Sequence, residues 1–242
     1  TQTCTAGDIT AIGRTNSLKL VNLYRWLAGL PAVTNASGAD QAAQACALMM
    51  HANGQLSHSP PANWKCYTAA GAGAAGKSNI ATAPAVEAID LYMIDPGNTT
   101  TIGHRRWILS NSLGPIGIGS TSAYSCLQVI GGSGAANKAW TAFPPPGDVP
   151  LELWSVSWTS LDQTGWTIQS DSISLSNAQV TVTDAGANKP VTVTPLSSGY
   201  GSSYAIRFNP QGWTAQAGHT YSVNVTGTSQ PISYQVKVVA CN

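Results

Sequence analysis

With 242 residues, only 9% of them charged, and a formal net charge of +1, the chain has no electrostatic pull toward nucleic acid or an anionic membrane. That length suits two domains, each able to bury a core of its own. No run of about 18 apolar residues occurs, so no segment reads as a membrane-spanning helix. Mean hydropathy is near zero because Ser, Thr, Asn and Gln supply the polarity that charges do not, as befits a neutral extracellular surface.

Five cysteines point to the same oxidising compartment. The opening at Thr1 without a methionine reads as the mature product of a cleaved secretory precursor. An odd count leaves one thiol over or paired between chains. Cys46 and Cys66 flank the loop that carries His58 and are the first choice for a bridge. Cys4 with Cys126, leaving Cys241 free, is the second; Cys126 with Cys241 is its rival.

Residues 17–28 place Leu20, Leu23, Tyr24 and Leu27 on the i, i+3, i+4, i+7 stripe of an amphipathic helix, stopped by Gly29 and Pro31. A second helix opens at Asp40 as N-cap and runs Ala43, Cys46, Ala47 and Met50 along one face until Asn53-Gly54 closes it. The stretch from Ser59 to Ala81, rich in Pro, Gly, Ala and Asn, reads as a long irregular loop. Thr82 and Pro84 signal a third helix with Val86, Ile89 and Met93 on one face and Glu87 on another stripe with Leu91 and Ile94. Asp95-Pro96-Gly97-Asn98 is a turn, and Thr99 to Ile108 a short fourth helix.

From Gly114 the pattern changes. Gly114 to Gly119, Ala123 to Ile130 and Lys138 to Phe143 read as a three-stranded antiparallel sheet under the helices. Phe143-Pro144-Pro145-Pro146-Gly147 is neither helix nor central strand, since three prolines donate no backbone hydrogen bond. The domain boundary falls there, giving 1–142 and 143–242. Beyond it, alternating stretches at 167–175, 178–183, 191–194, 204–208, 220–226 and 232–239 predict an all-β, immunoglobulin-like sandwich of about seven strands.

Chemistry concentrates at Leu56-Ser57-His58-Ser59-Pro60-Pro61 and Gly103-His104-Arg105-Arg106-Trp107, with Glu87 between them in sequence. Two imidazoles suit a zinc ion, and Glu87 could serve as a third ligand or orient a ring by accepting its N–H. The plainer reading of such a set is that of hydrogen-bonded loop anchors. His51 reads as a solvent-facing residue and His219 as a turn residue. Arg105 and Arg106 are candidates for anion binding or for ties to Asp90 or Asp95. Five of the eight tryptophans (Trp140, Trp154, Trp158, Trp166, Trp213) fall at the boundary or beyond; they read mainly as core, with sugar stacking as the functional alternative. No G-x-S-x-G, H-E-x-x-H, P-loop or dinucleotide fingerprint is present, while Asn35, Asn98 and Asn224 open glycosylation sequons.

The order Leu56-Ser57-His58-Ser59, Ser78-Asn79-Ile80-Ala81, Ala85-Val86-Glu87, Gly103-His104-Arg105-Arg106-Trp107 resembles the CAP superfamily of cysteine-rich secretory, antigen 5 and pathogenesis-related proteins. Secreted bacterial members with a G-H-R-x-x-[IL] sequence are the nearer likeness, over roughly residues 15–130. The resemblance implies an αβα sandwich for the first domain, hence an α+β chain, and a cleft of two histidines and two glutamates binding zinc or another divalent ion. His58, Glu87 and His104 match three of the four. The fourth belongs to a G-E-N motif, and Lys77-Ser78-Asn79 puts Ser78 in its place. A serine hydroxyl is no general base near neutral pH and a poor zinc ligand.

Taken together, these residues predict a secreted extracellular binding protein. Its cleft of His58, Ser78, Glu87 and His104 would hold a divalent ion through the two histidines, and its partner would be a cell-wall or environmental polysaccharide. The alternative is a metal-assisted hydrolase of polysaccharide or peptidoglycan using Glu87, with Asp90 or Asp95 as the second carboxylate.

Overall fold

The computed structural model describes residues 1–241. In chain order it contains α1 (Ala11–Leu27), α2 (Ser37–Asn53), α3 (Ala69–Ala75), β1 (Ser78–Ala81), α4 (Ala85–Ile94), α5 (Gly103–Ile108), β2 (Gly117–Ser120), β3 (Ser125–Gln128), β4 (Thr141–Phe143) and β5 (Gly147–Pro150). A 3-10 turn at Leu151–Leu153 leads into β6 (Ser155–Val156), β7 (Thr159–Ser160), α6 (Leu161–Thr164), β8 (Trp166–Ser170) and β9 (Gln179–Asp184). The chain ends through β10 (Ala187–Lys189), β11 (Val191–Pro195), β12 (Tyr204–Pro210), β13 (Thr220–Thr226) and β14 (Ile232–Val239). Two compact units result. The first comprises Thr1–Arg25, Pro31–Met93 and Ser112–Ala136, and the second Trp26–Leu30, Ile94–Asn111 and Asn137–Asn242. These limits differ from 1–142 and 143–242: the proline run lies inside the second unit, between β4 and β5, with a cis Phe143–Pro144 bond.

In the first unit the sheet order is β1-β3-β2, antiparallel throughout. Successive strand residues face opposite sides. Cys126 of β3 therefore points to α2, where it is bonded to Cys46, while its neighbour Ser125 takes a 2.8 Å hydrogen bond with the Tyr92 hydroxyl of α4 on the other face. The sheet is thus sandwiched between helices, α2 and α3 on one side and α4 on the other. The α2 face predicted from periodicity is buried: Ala43, Cys46, Ala47 and Met50 are all fully inaccessible. Gly54 closes α2 in the left-handed conformation its lack of Cβ allows.

Several expectations are corrected here. Helix α1 begins at Ala11, because the Thr10 hydroxyl accepts the Gly13 N–H. Its buried face is Ser17, Val21, Tyr24 and Arg25, and Leu23 is exposed. Asp40 lies inside α2 rather than capping it; its Oδ1 accepts from Ile118 N and Asn35 Nδ2, both at 2.8 Å. The presumed loop 59–81 contains α3 and β1. Gly-rich composition argued against a helix there, but small residues let α3 press onto α2, where a Cβ on Gly71 would sit 3.0 Å from the Ala45 carbonyl carbon. The third strand of the sheet is β1. Residues 141–143 pair instead with β8 in the second unit.

The disulfides are Cys4–Cys66 and Cys46–Cys126, leaving Cys241 exposed and free. Neither Cys46–Cys66 nor the pairings offered for Cys126 forms, because the face that α2 lays on the sheet is the face carrying Cys126, and Cys66 is left to the N-terminal segment.

In the second unit, a five-stranded sheet in the order β10-β9-β13-β14-β5 and a four-stranded sheet in the order β11-β12-β8-β4 pack through their inner side chains. Trp166 of β8 lies edge-on to Tyr221 of β13 at 5.7 Å and also touches Phe208. The alternation predicted for 232–239 is complete: Ile232, Tyr234, Val236 and Val238 are buried, and the residues between them exposed or half-exposed. Asp162 of α6 sits in this core, its Oδ1 accepting both the Trp154 and Trp166 indole N–H groups at 3.0 and 2.9 Å.

Candidate functional site

Two of the four residues picked from sequence meet at one helix end. A seven-residue helix leaves its last carbonyls without intrahelical partners. His58 Nδ1 is 2.9 Å from the Ala75 carbonyl and the Ser78 hydroxyl donates to the Ala74 carbonyl at 2.8 Å, so both residues cap α3. A carbonyl can only accept, which places the His58 proton on Nδ1 and, in the neutral ring, the lone pair on Nε2. The His58 side chain is exposed; Ser78 is buried and its proton committed.

Glu87 stands in the first turn of α4, exposed, where a carboxylate complements the helix dipole. One turn on, Asp90 accepts a 2.6 Å hydrogen bond from the Tyr24 hydroxyl, and partial burial pushes its carboxyl above the ordinary range, a shift that Tyr24 opposes only in part. Residues three apart on a helix are neighbours, so α4 carries two carboxyl groups of different character on one side.

His104 belongs to the second unit. Its ring Nδ1 lies 2.9 Å from Asp95 Oδ1 and its backbone N–H donates to Asp95 Oδ2 at 2.9 Å. Asn98 Nδ2 donates to the same Asp95 Oδ1 at 2.6 Å. Asp95 is buried and caps the start of α5 from outside the helix. Ile102, which precedes α5, holds φ at +43°, a region costly for a β-branched residue, and Asp95 holds +57°. Asp95 and Asn98 are the partners that motif reading did not supply; a carboxylate nine residues upstream of a histidine has no spacing signal.

The arginines that follow His104 are anchored largely on backbone carbonyls. Arg105 donates to the carbonyls of Gly165 (2.7 Å) and Ile94 (2.9 Å) and lies over the Phe143 ring, and its backbone N–H reaches Asp95 Oδ2 at 3.4 Å. Arg106 donates to the carbonyls of Thr101, Ser197 and Ser202. Both are fully buried. Burial lowers the Arg106 guanidinium to about 10.

The resemblance implies a zinc ion, and a catalytic zinc takes three protein ligands. Ser78 offers none, and among the described residues no group of three or more His, Cys, Asp or Glu side chains is gathered as a metal site. The donor set does not fit that ion.

Helices cover the antiparallel sheet of the first unit, and a histidine, a glutamate and a histidine follow in that order along the chain. Residues 18–130 match the model of the cysteine-rich secretory protein family, CAP, and this stretch is a CAP domain. No curated protein and no solved structure matches the chain. The two disulfides fit an oxidising, extracellular compartment.

Proposed function

We propose that the chain is a secreted binding protein, of the kind bacterial members of the family represent, whose partner is an extracellular polysaccharide. The observation that carries this reading is the fate of position 78. Where the family resemblance calls for a carboxylate, Ser78 is buried and its hydroxyl is spent on the Ala74 carbonyl. Glycoside hydrolysis ordinarily requires two carboxyl groups flanking one bond, and this one has been replaced by a structural tie.

The second unit is read here as an immunoglobulin-like sandwich. Two packed sheets, β10-β9-β13-β14-β5 and β11-β12-β8-β4, support that reading, while the parallel pairing of β5 with β14 departs from its antiparallel pattern. Two of its tryptophans, Trp154 and Trp166, are core, but Trp158 is 67% exposed at the β6–β7 turn and offers a face on which a sugar ring can stack.

A hydrolase is the second reading, favoured by Glu87 and Asp90 on one side of α4, one exposed and one with a raised carboxyl. Co-sedimentation with insoluble peptidoglycan, chitin and cellulose, assayed in parallel for released reducing ends, separates the two. Retention on at least one polymer, weakened several-fold in Trp158→Ala and without release of reducing ends, is the expected result. Release of reducing ends that Glu87→Gln abolishes would replace the binding role with the hydrolase.

A further inference from the structure

The first unit contains a cavity of about 480 Å³, within the usual range for small-molecule sites. Its walls are the N-terminal segment, the C-terminal half of α2 and the turn between β2 and β3. None of the four residues of the predicted cleft, His58, Ser78, Glu87 and His104, lines it. His51 does, and the environment of His51 fixes what it presents.

The Thr121 hydroxyl oxygen accepts the backbone N–H groups of Tyr124 at 3.0 Å and Ala123 at 3.3 Å, which occupies both of its lone pairs. Its own proton has two acceptors in reach, the Tyr124 carbonyl at 3.4 Å and His51 Nδ1 at 2.9 Å, and the nearer is His51. In the neutral ring the imidazole proton is then on Nε2. This is the opposite tautomer from His58, whose Nδ1 faces a carbonyl. Stacking on Tyr124 at 5.4 Å holds the ring's plane. His51 thus presents an oriented N–H donor, not a base or a metal ligand.

The N-terminal segment supplies an acceptor. Asp8 Oδ1 accepts from Ile9 N and from Arg14, and the Arg14 guanidinium holds the Asp8 carboxyl below its ordinary range. Oδ2 has no partner among the described residues and Asp8 lines the cavity. Because Arg14 already offsets that charge, the walls favour neither an anion nor a cation. Leu48 and Ile9 add apolar surface. Of the remaining polar groups, the Gln44 amide is engaged, donating to the Ala6 and Ser120 carbonyls and accepting from Ser120 N, which also fixes the N-terminal segment in place, while the Thr5 and Ser122 side chains add hydroxyls to the lining. The Cys4–Cys66 disulfide ties that segment covalently to the loop before α3.

We propose that this cavity is a binding site for a neutral, hydroxyl-bearing ring of monosaccharide size, held between the His51 Nε2–H donor and the Asp8 Oδ2 acceptor with its apolar face on Leu48. The site goes beyond the polymer-binding role proposed above and uses none of its residues. Sugar titration and polymer sedimentation are separate measurements, so either can fail while the other stands.

The test is calorimetric titration of the full chain with glucose, N-acetylglucosamine and, as an anionic counterpart, glucuronate. At least one neutral sugar is expected to bind, with glucuronate at least tenfold weaker. Ser122→Trp, a change at an exposed turn residue that fills the mouth without touching the core, is expected to abolish that binding. His51→Ala is expected to weaken it at least tenfold and His51→Gln, which keeps an N–H donor, to restore part of it. Absence of binding by both neutral sugars, tighter binding of glucuronate, or affinity unchanged in Ser122→Trp would each overturn the site.

Discussion

The two units solve the problem of a core in opposite ways. The first builds it from small side chains, with Ala43, Ala47, Ala74 and Ala75 around the Cys46–Cys126 bridge and Met49 and Met50 as the larger members. Backbones approach closely there: a Cβ on Gly119 of β2 would lie 2.1 Å from the Ala43 carbonyl carbon of α2. The second builds its core from aromatic rings, Trp166 touching Phe208, Trp213 and Tyr221, and threads two arginines among backbone carbonyls. The difference shows in how each unit fixes a histidine. His58 is held by one helix-end carbonyl and left exposed, whereas the His104 backbone and ring are both bonded to one buried carboxylate.

If contact between backbones is what holds the first unit, Gly119→Val is the most damaging single change in it. The atoms it would meet are main chain of α2 and cannot rotate away, so a loss of more than about 4 kcal/mol is expected, read as failure to fold or a collapse of the denaturant midpoint. A midpoint close to wild type would mean that α2 can lift off the sheet.

The corresponding change in the second unit is Arg106→Met. It keeps the bulk of the stem but strands the carbonyls of Ser202, which is buried, and of Thr101 and Ser197, which are less so; a buried carbonyl without a donor costs about 1–3 kcal/mol, and the other two less. A loss of about 3–4 kcal/mol in urea unfolding is expected. A neutral or stabilised variant would show that the arginine's own desolvation cancels its hydrogen bonds, as happens for some buried charges.

Much of this was legible in the sequence, for reasons that identify what was not. Periodicity located the α2 face and the strands at 220–226 and 232–239, because in each the apolar pattern and the burial share one period. It failed at 59–81, where Gly and Ala carry no hydrophobic signal yet are what lets α3 approach α2. It also failed at 138–143, a strand by pattern whose partner, β8, no local rule could name. Of the site, the motif order found His58, Glu87 and His104 but could not reveal that the Ser78 hydroxyl is consumed by a helix end. His51 was set aside as solvent-facing because its partner, Thr121, is distant in sequence.

The two disulfides test the same contrast within the first unit. They close loops of similar length, with sequence separations of 80 and 62, so chain entropy alone predicts nearly equal contributions of about 4 kcal/mol. Their surroundings differ: Cys46 and Cys126 are buried in the core, while Cys4 is exposed. Replacing the buried pair by alanine is therefore expected to cost more than replacing Cys4 and Cys66, by about 1–2 kcal/mol for the lost packing. Equal losses would mean that the sulfurs act only as a tether. The Cys4/Cys66 variant should also free the N-terminal segment from the cavity it lines.

The smallest effect expected is at Asp90, and its sign is fixed by the direction of one shift. Burial raises the Asp90 carboxyl in the folded chain above its value in the unfolded chain. Below the unfolded value both states bind the proton and the folded state bears no charge at this position. As pH rises from there through the raised folded value, the unfolded chain releases its proton more readily, and stability is lost until both states are ionised. Asp90→Asn cannot titrate, and its amide oxygen can still accept the Tyr24 hydroxyl. The variant is therefore expected to melt slightly above wild type at pH 7, with the gap narrowing as pH falls toward the ordinary carboxylate range of about 4. Melting curves of both proteins between pH 3 and 7 read this directly, since every other carboxylate is common to the two. A gap that does not change with pH would show that Asp90 is as well solvated in the fold as out of it, and would remove the asymmetry between the two carboxyl groups on α4 on which the hydrolase reading depends.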